Sequence, residues 1–100
     1  MRITESEKLS IIDSFKSIFK DSELYLFGSR VDDSKKGGDI DLYIKLKKPL
    51  DNLELVEKEA KFITTIQNNI GDQKIDLVIN NNEENSLIYK AAEETGIKLC

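Results

Sequence analysis

The pattern of apolar and polar residues divides this chain into alternating helices and strands. Apolar residues at helical spacing predict a first helix over residues 5–20, a second between Asp51 and Gly71, and a third over residues 83–95. Short apolar segments predict strands over residues 24–27, 39–46 and 75–79, with a short edge strand over residues 97–99. This order indicates an α/β (α+β) fold, in which a mixed sheet of three to four strands carries helices packed mainly on one face.

Residues at the ends of several elements favour these boundaries. Thr4 and Glu7 have the spacing of a capping box at the start of the first helix. Asp51 is suited to cap the second helix, and Gly71 is suited to end it. Pro49 has no backbone N–H to donate and therefore ends the second strand. The boundaries thus rest on backbone chemistry as well as on hydrophobic spacing.

Alternation within the elements predicts which side chains are buried. The second strand is expected to bury one face, made of Ile40, Leu42, Ile44 and Leu46. Its other face is made of Asp39, Asp41, Tyr43 and Lys45. The second helix carries an apolar stripe of Leu53, Val56, Ala60, Ile63, Ile66 and Ile70. Tyr25 and Tyr43 are interpreted as packing residues.

Three aspartates in apolar strands are the strongest chemical signal. Asp39 and Asp41 point to the same face of the second strand, and Asp76 lies in the third. Two carboxylates about 4 Å apart repel by roughly 4 kcal/mol at an effective dielectric constant near 20. We therefore expect a cation between them. Together with the turn Gly28-Ser29, the three carboxylates predict a divalent-metal site beside a phosphate-binding turn.

Structural roles alone would explain part of this pattern. Gly28 and Ser29 also suit an ordinary turn at the end of a strand, and Asp39 also suits a cap. Asp41 and Asp76 are harder to explain in this way, because a charge within an apolar strand is costly unless it is compensated. The chain has neither a Walker loop nor a dinucleotide-binding glycine motif.

Composition places the chain in a broad class. Its 100 residues are expected to form a single domain, residues 1–100, with 39% hydrophobic and 34% charged residues. No apolar run approaches the roughly 20 residues of a membrane span, and the first residues lack the apolar segment of a signal peptide. Cys100 is the only cysteine, so an internal disulfide is excluded. These features favour a cytoplasmic protein with no membrane association.

Charge and residue types narrow the chemistry further. The absence of histidine excludes Ser-His-Asp, Cys-His and histidine–metal sites within the chain. A metal must then be held by oxygen atoms, which favours Mg²⁺, Mn²⁺ or Ca²⁺. A net charge of −4 argues against general nucleic-acid binding. The basic residues near the motifs are interpreted either as solvated lysines or as contacts for a polyphosphate; they are Arg30, Lys35, Lys36, Lys45, Lys47 and Lys48.

Because these motifs follow one another along the chain in this order, the chain resembles the minimal nucleotidyltransferase (MNT) domains of the DNA polymerase beta superfamily. The family pattern is Gly-Ser, a spacer, Asp-x-Asp, and a third acidic residue on a later strand. These positions correspond to Gly28-Ser29, Asp39, Asp41 and Asp76. The spacer of nine residues is slightly shorter than is common in the family, and Gly38 stands where many members have serine. The resemblance covers nearly the whole chain and implies a palm-like mixed sheet.

The resemblance implies a metal-ion mechanism for the three aspartates. Asp39 and Asp41 would bind the Mg²⁺ that carries the triphosphate of ATP. All three aspartates, with Asp76, would bind a second Mg²⁺ that holds the attacking hydroxyl, and Mn²⁺ would serve in the same way. Asp76 would also be suited to take the proton from that hydroxyl.

The resemblance also implies a nucleotide site at the turn. Gly28 would let the backbone approach a phosphate, and Ser29 would offer its hydroxyl. Arg30 would either neutralise the β or γ phosphate or point to solvent.

For function, the resemblance implies transfer of a nucleoside monophosphate, AMP from ATP, to a hydroxyl. A single domain of this size leaves no room for an acceptor-binding domain, so a partner protein is expected to supply the acceptor. In this family the partner is often a small helical HEPN-type toxin, which implies a hetero-oligomer and an antitoxin that adenylylates it. Two alternatives stay open: a non-catalytic antitoxin that masks its partner, and a nucleotide-binding subunit of a larger transferase.

Overall fold

A computed structural model describes residues 3–28, 39–81 and 87–100 of the chain. In order, the elements are α1 (Glu5–Ile18), β1 (Glu23–Phe27), β2 (Ile40–Lys45), α2 (Asn52–Ile70), β3 (Ile75–Asn80), α3 (Leu87–Thr95) and β4 (Ile97–Lys98). The predicted element order and the α+β class are confirmed, and the ends differ from prediction by a few residues. The first residues of the predicted third helix, 83–86, lie outside the described residues. Within the described part, no helix has the length and apolar character needed to cross a membrane.

The strands form one mixed sheet in the order β3-β2-β1-β4. β1 runs antiparallel to both β2 and β4, whereas β2 and β3 are parallel. A parallel pair needs a long crossover, and α2 supplies it. The parallel pairing aligns the starts of β2 and β3, so residues early in the two strands lie beside each other.

The core lies between the sheet and the pair α1 and α2. Phe15, Phe19 and Phe62 meet there with ring centroids 5.5–6.4 Å apart. The core face predicted for the second strand is confirmed: Ile40, Leu42, Ile44 and Leu46 are all buried. Burying each such side chain stabilises the fold by about 1.5–3 kcal/mol. The residues between them in β2 therefore point to the opposite face.

The third helix covers part of that opposite face. Tyr43 lies there, as alternation predicts, yet it is fully buried. Its ring contacts those of Tyr25 and Tyr89 at centroid distances of 5.5 and 5.7 Å, and its hydroxyl donates to Glu93 of α3. The helices are thus divided, with α1 and α2 on one face and α3 on the other. Tyr43 is a packing residue, as the sequence indicated.

The predicted helix ends are confirmed by capping contacts. Thr4 and Glu7 form a capping box, in which the Thr4 hydroxyl accepts from the Glu7 N–H and the Glu7 carboxylate accepts from the Thr4 N–H. The Asp51 carboxylate accepts from the Glu54 N–H at 2.8 Å at the start of α2. Gly71 ends α2 with φ +93°, in the region that favours glycine.

The stripe predicted for α2 is wrong over its first half, where Leu53, Val56 and Ala60 are exposed. It is confirmed at Ile63, Ile66 and Ile70, which belong to or pack against the core. Leu53 and Val56 are 71% and 62% exposed, whereas Phe62 and Ile66 are fully buried. The cause is the orientation of the helix: Leu55, Phe62 and Ile66 share the face of α2 that packs against the core. At 3.6 residues per turn, Leu53 and Val56 fall outside that face.

Candidate functional site

The sheet register brings two of the predicted site residues together. Asp41 and Asp76 are direct partners in the parallel pair β2–β3, and Asp41 also lies opposite Phe27, the last residue of β1. Neighbouring strands are about 4.8 Å apart, and both side chains point away from the α1–α2 core. Asp39 precedes Asp41 by two residues. One end of the sheet therefore gathers three carboxylates on the face that α3 partly covers.

Gly28 is required by the position of the Asp41 carboxylate. The residue has φ +76°, and a Cβ placed on it would lie 2.2 Å from Asp41 Oδ2. A larger residue here would strain the backbone and would force the Asp41 carboxylate to move. The turn after β1 is thus held directly against a candidate metal ligand. Ser29 and Arg30, the other two residues predicted here, lie outside the described residues.

A lysine that sequence reasoning missed lies among the carboxylates. Lys74 Nζ is 3.5 Å from Asp39 Oδ2 and 3.9 Å from Asp76 Oδ1. Lys74 therefore places one positive charge beside Asp39 and Asp76, at distances typical of weak ion pairs. Alternation offered a signal for it, since Lys74 precedes Asp76 by two residues and so shares its face. Its proximity to Asp39, by contrast, depends on the pairing of β2 with β3.

The carboxylates provide suitable donors for a metal but are not gathered around one point. Among the residues that the structure describes, no three His, Cys, Asp or Glu side chains are grouped closely enough to hold a metal ion. All the donor atoms are carboxylate oxygens, which suit hard divalent cations such as Mg²⁺ and Mn²⁺. Because Gly28 has no side chain, the Asp41 carboxylate can lie directly beside it. The donor chemistry therefore fits a divalent cation.

A hydrogen-bonded network fixes the strand next to these aspartates. The Tyr43 hydroxyl donates to Glu93 Oε2 at 2.7 Å and accepts from Asn80 Nδ2 at 3.0 Å. Lys45 Nζ contacts Glu93 Oε1 at 3.3 Å. The network ties the second half of β2 to α3 and to the end of β3, two residues after Asp41.

Two tyrosines in this region are held in the neutral state. Burial raises the pKa of Tyr43 well above its usual range. The hydrogen bond from Asn80 lowers this pKa, and the hydrogen bond to Glu93 raises it further. Burial also raises the pKa of Tyr25 to about 12, together with the hydrogen bond from its hydroxyl to Glu23. That hydrogen bond lowers the pKa of Glu23 in turn. Both hydroxyls therefore act as donors at neutral pH.

The basic residues grouped with the motifs in the sequence are separated in the structure. Lys47 and Lys48 follow the far end of β2 and line a pocket of about 220 Å³ with Ile18, Phe19, Lys20, Asp21, Ser22, Leu46, Leu50 and Lys58. Strand geometry places Lys45, at that end, about 13 Å from Asp41, and Lys47 and Lys48 follow it. This placement favours the interpretation of Lys47 and Lys48 as solvated lysines. Arg30, Lys35 and Lys36 lie outside the described residues.

Comparison with known proteins identifies the family. The family model described as a nucleotidyltransferase domain matches residues 9–99. This chain belongs to the nucleotidyltransferase domain family. The resemblance drawn from the sequence motifs is thereby confirmed, and the matched range includes Gly28 and all three aspartates of this nucleotidyltransferase domain. A sequence comparison with curated proteins gave no significant match.

Solved structures share the fold of this nucleotidyltransferase domain. A chain of the tri-AMPylated Shewanella oneidensis HEPN toxin in complex with MNT antitoxin is 22% identical, with 94% of this chain and 69% of that chain covered and a TM-score of 0.65. A toxin–antitoxin structure with AMP-PNP is 23% identical over 93% and 72% of the two chains, with a TM-score of 0.66. A mutant of the toxin–antitoxin MntA-HpeT is 21% identical over 93% and 71%, with a TM-score of 0.64. At these identities the likeness demonstrates a common fold.

Proposed function

We propose that this chain is a metal-dependent adenylyltransferase that moves AMP from ATP to a hydroxyl of a partner protein, and that this partner is a HEPN-type toxin. The observation that carries the proposal is the pairing of Asp41 with Asp76 in the β2–β3 register, two residues from Asp39 and in contact range of the Gly28 turn. Carboxylates on adjacent strands beside Gly28, which has no side chain, suit the binding of a metal-bound triphosphate.

Each candidate residue has a separate role in this proposal. Asp39, Asp41 and Asp76 would hold Mg²⁺ or Mn²⁺, which when bound stabilises the charge on the entering and leaving oxygens of an in-line displacement. Asp76 would accept the proton of the attacking hydroxyl. Gly28 and Ser29 would form the phosphate-binding turn, and Arg30 would neutralise a phosphate oxygen.

The partner is inferred from the family and from the structural relatives. One relative is an MNT antitoxin in complex with a tri-AMPylated HEPN toxin, and another was solved with AMP-PNP. Both share the fold of this chain over more than nine-tenths of its length. The AMP-PNP and the tri-AMPylated HEPN toxin of these structures support adenylylation of a HEPN-type protein, and hence a hetero-oligomer, for this chain.

The test is intact-mass analysis of the partner. The chain is incubated with a purified HEPN-type toxin from its own source, Mg²⁺ and ATP. We expect each modified hydroxyl to gain one adenylyl group, the mass of AMP less one water, with release of pyrophosphate. We expect Asp41→Asn to abolish the gain. Asp13→Asn, which removes an exposed carboxylate on α1, serves as the matched control and should leave it unchanged.

The same experiment distinguishes the masking alternative. If the toxin is neutralised without any gain in mass, and Asp41→Asn neutralises it equally well, the chain is a binding antitoxin and not an adenylyltransferase. If ATP and Mg²⁺ bind but a HEPN-type protein is neither modified nor bound, the transferase has another acceptor.

A further inference from the structure

Lys74 has an anchored backbone and an exposed, flexible side chain. Its carbonyl accepts a hydrogen bond from the Ile40 N–H at 3.0 Å, which anchors the residue beside the start of β2. Its side chain is nevertheless 72% exposed, and its ammonium contacts Asp39 and Asp76 at 3.5 and 3.9 Å. The lysine stem is flexible, and ion pairs between exposed side chains are weak. The head group can therefore leave the carboxylates at small cost.

The ammonium and a divalent cation require the same oxygen atoms. Asp39 Oδ2 and Asp76 Oδ1 face Lys74, and both aspartates belong to the candidate metal site. Removal of the Lys74 charge strengthens cation binding at these aspartates. This holds whether the ammonium competes directly for the oxygen atoms or repels the cation electrostatically. When it leaves, the ammonium stays anchored within reach of the same end of the sheet, where the phosphates of a metal-bound nucleotide would lie. Ammonium groups bind phosphate oxygens as strongly hydrated point charges.

We propose that Lys74 is a positioning residue that neutralises Asp39 and Asp76 in the metal-free protein. Once metal binds, its side chain moves so that the ammonium contacts the nucleotide phosphates. This inference rests on the proposed function, because it requires that the aspartates bind metal and nucleotide. It assigns to one side chain two opposite effects, one on metal affinity and one on nucleotide affinity. No simple surface ion pair would have both.

The experiment compares Lys74→Met with the unmodified chain and with Lys98→Met. Lys98 is the matched control, because it forms an ion pair with Glu23 at 3.3 Å with similar exposure, on the opposite edge of the sheet from β3. Calorimetry measures the affinity for Mn²⁺ without nucleotide, and then the affinity for ATP at saturating Mg²⁺. We expect Lys74→Met to bind Mn²⁺ roughly three- to tenfold more tightly and ATP roughly three- to tenfold more weakly. Lys98→Met should change neither affinity more than about twofold.

Each other outcome overturns a stated part of the inference. Unchanged Mn²⁺ affinity in Lys74→Met would show that the ammonium does not compete with metal. Tighter Mn²⁺ binding with unchanged ATP affinity would show that Lys74 never reaches the phosphates. Should Lys74→Met fail to fold, Lys74→Gln removes the same charge and the same outcomes apply. If the unmodified chain binds neither Mn²⁺ nor ATP, the proposed function itself is wrong.

Discussion

Asp41 and Asp76 are register partners on adjacent parallel strands, each the second residue of its strand. Each carboxylate follows a buried isoleucine, Ile40 or Ile75, which anchors the strand in the core. The pair is therefore held at strand spacing by the backbone and not by flexible loops. Two like charges held side by side destabilise the folded protein when no cation compensates them. Once a cation binds, the same rigidity holds both carboxylates in place as ligands.

We predict that Asp41→Asn changes the stability of the metal-free protein little while removing its response to metal. The variant replaces one member of a repelling pair, so its free energy of unfolding should lie within about 0.5 kcal/mol of the unmodified value or slightly above it. Mg²⁺ should raise the melting temperature of the unmodified chain, through preferential binding to the folded state, but not that of the variant. Thermal denaturation with and without Mg²⁺ measures both. A loss above about 2 kcal/mol would show instead that Asp41 is a structural hydrogen-bonding residue.

Gly28→Ala should destabilise the protein and impair the site together. The alanine must keep the positive φ of Gly28, and its Cβ would lie 2.2 Å from Asp41 Oδ2. We therefore expect the free energy of unfolding to fall by about 1–3 kcal/mol and Mg²⁺ to bind more weakly. Gly71→Ala is the control: its φ is +93°, but no atom lies within 4 Å of the new Cβ. It should show the backbone strain alone and normal metal binding. Equal metal affinity in the two variants would refute a coupling between Gly28 and Asp41.

The buried tyrosine predicts a specific sensitivity to alkaline pH. The folded-state pKa of Tyr43 is raised above the unfolded value near 10, so its contribution to stability is complete below about pH 10 and is lost as pH rises further. Tyr43→Phe should be less stable at neutral pH by about 1–3 kcal/mol, because Glu93 and Asn80 lose a partner. This difference should shrink above about pH 10.

Urea denaturation of both proteins across the alkaline range measures the Tyr43 effect. The ion pairs of Lys45 and Lys98 and the raised pKa of Tyr25 are common to the two proteins and largely cancel in the difference. A difference that stays constant through pH 11, about one unit above the usual tyrosine pKa, would show that Tyr43 ionises as easily in the folded state as in the unfolded chain.

The two ends of α2 should respond differently to substitution. Leu53→Ser should lie within about 0.5 kcal/mol of the unmodified protein, because Leu53 is largely exposed. Phe62→Ala should cost about 3–5 kcal/mol, because Phe62 is fully buried against the rings of Phe15 and Phe19. Chemical denaturation gives both values. A cost above about 2 kcal/mol for Leu53→Ser would mean that the Leu53 side chain is packed and not exposed.

By itself the sequence determined the features that depend on neighbouring residues. Helical spacing and the caps at Thr4, Asp51 and Gly71 act within a few residues, so the element order and several ends were predictable. Alternation in β2 correctly separated Leu42 from Asp41, because the strand period is a local property of the backbone. The identity of the three aspartates and of Gly28 as candidate site residues came from the same local patterns.

The tertiary structure alone decided which residues meet across the chain. Pairing of β2 with β3 set Asp41 beside Asp76 and brought Lys74 to Asp39, since strand register depends on packing and on the α2 crossover. Docking of α3 buried Tyr43, and the packing of α2 through the face of Leu55 and Phe62 left Leu53 exposed. These contacts join residues far apart in sequence, and no local periodicity encodes the distance between two elements.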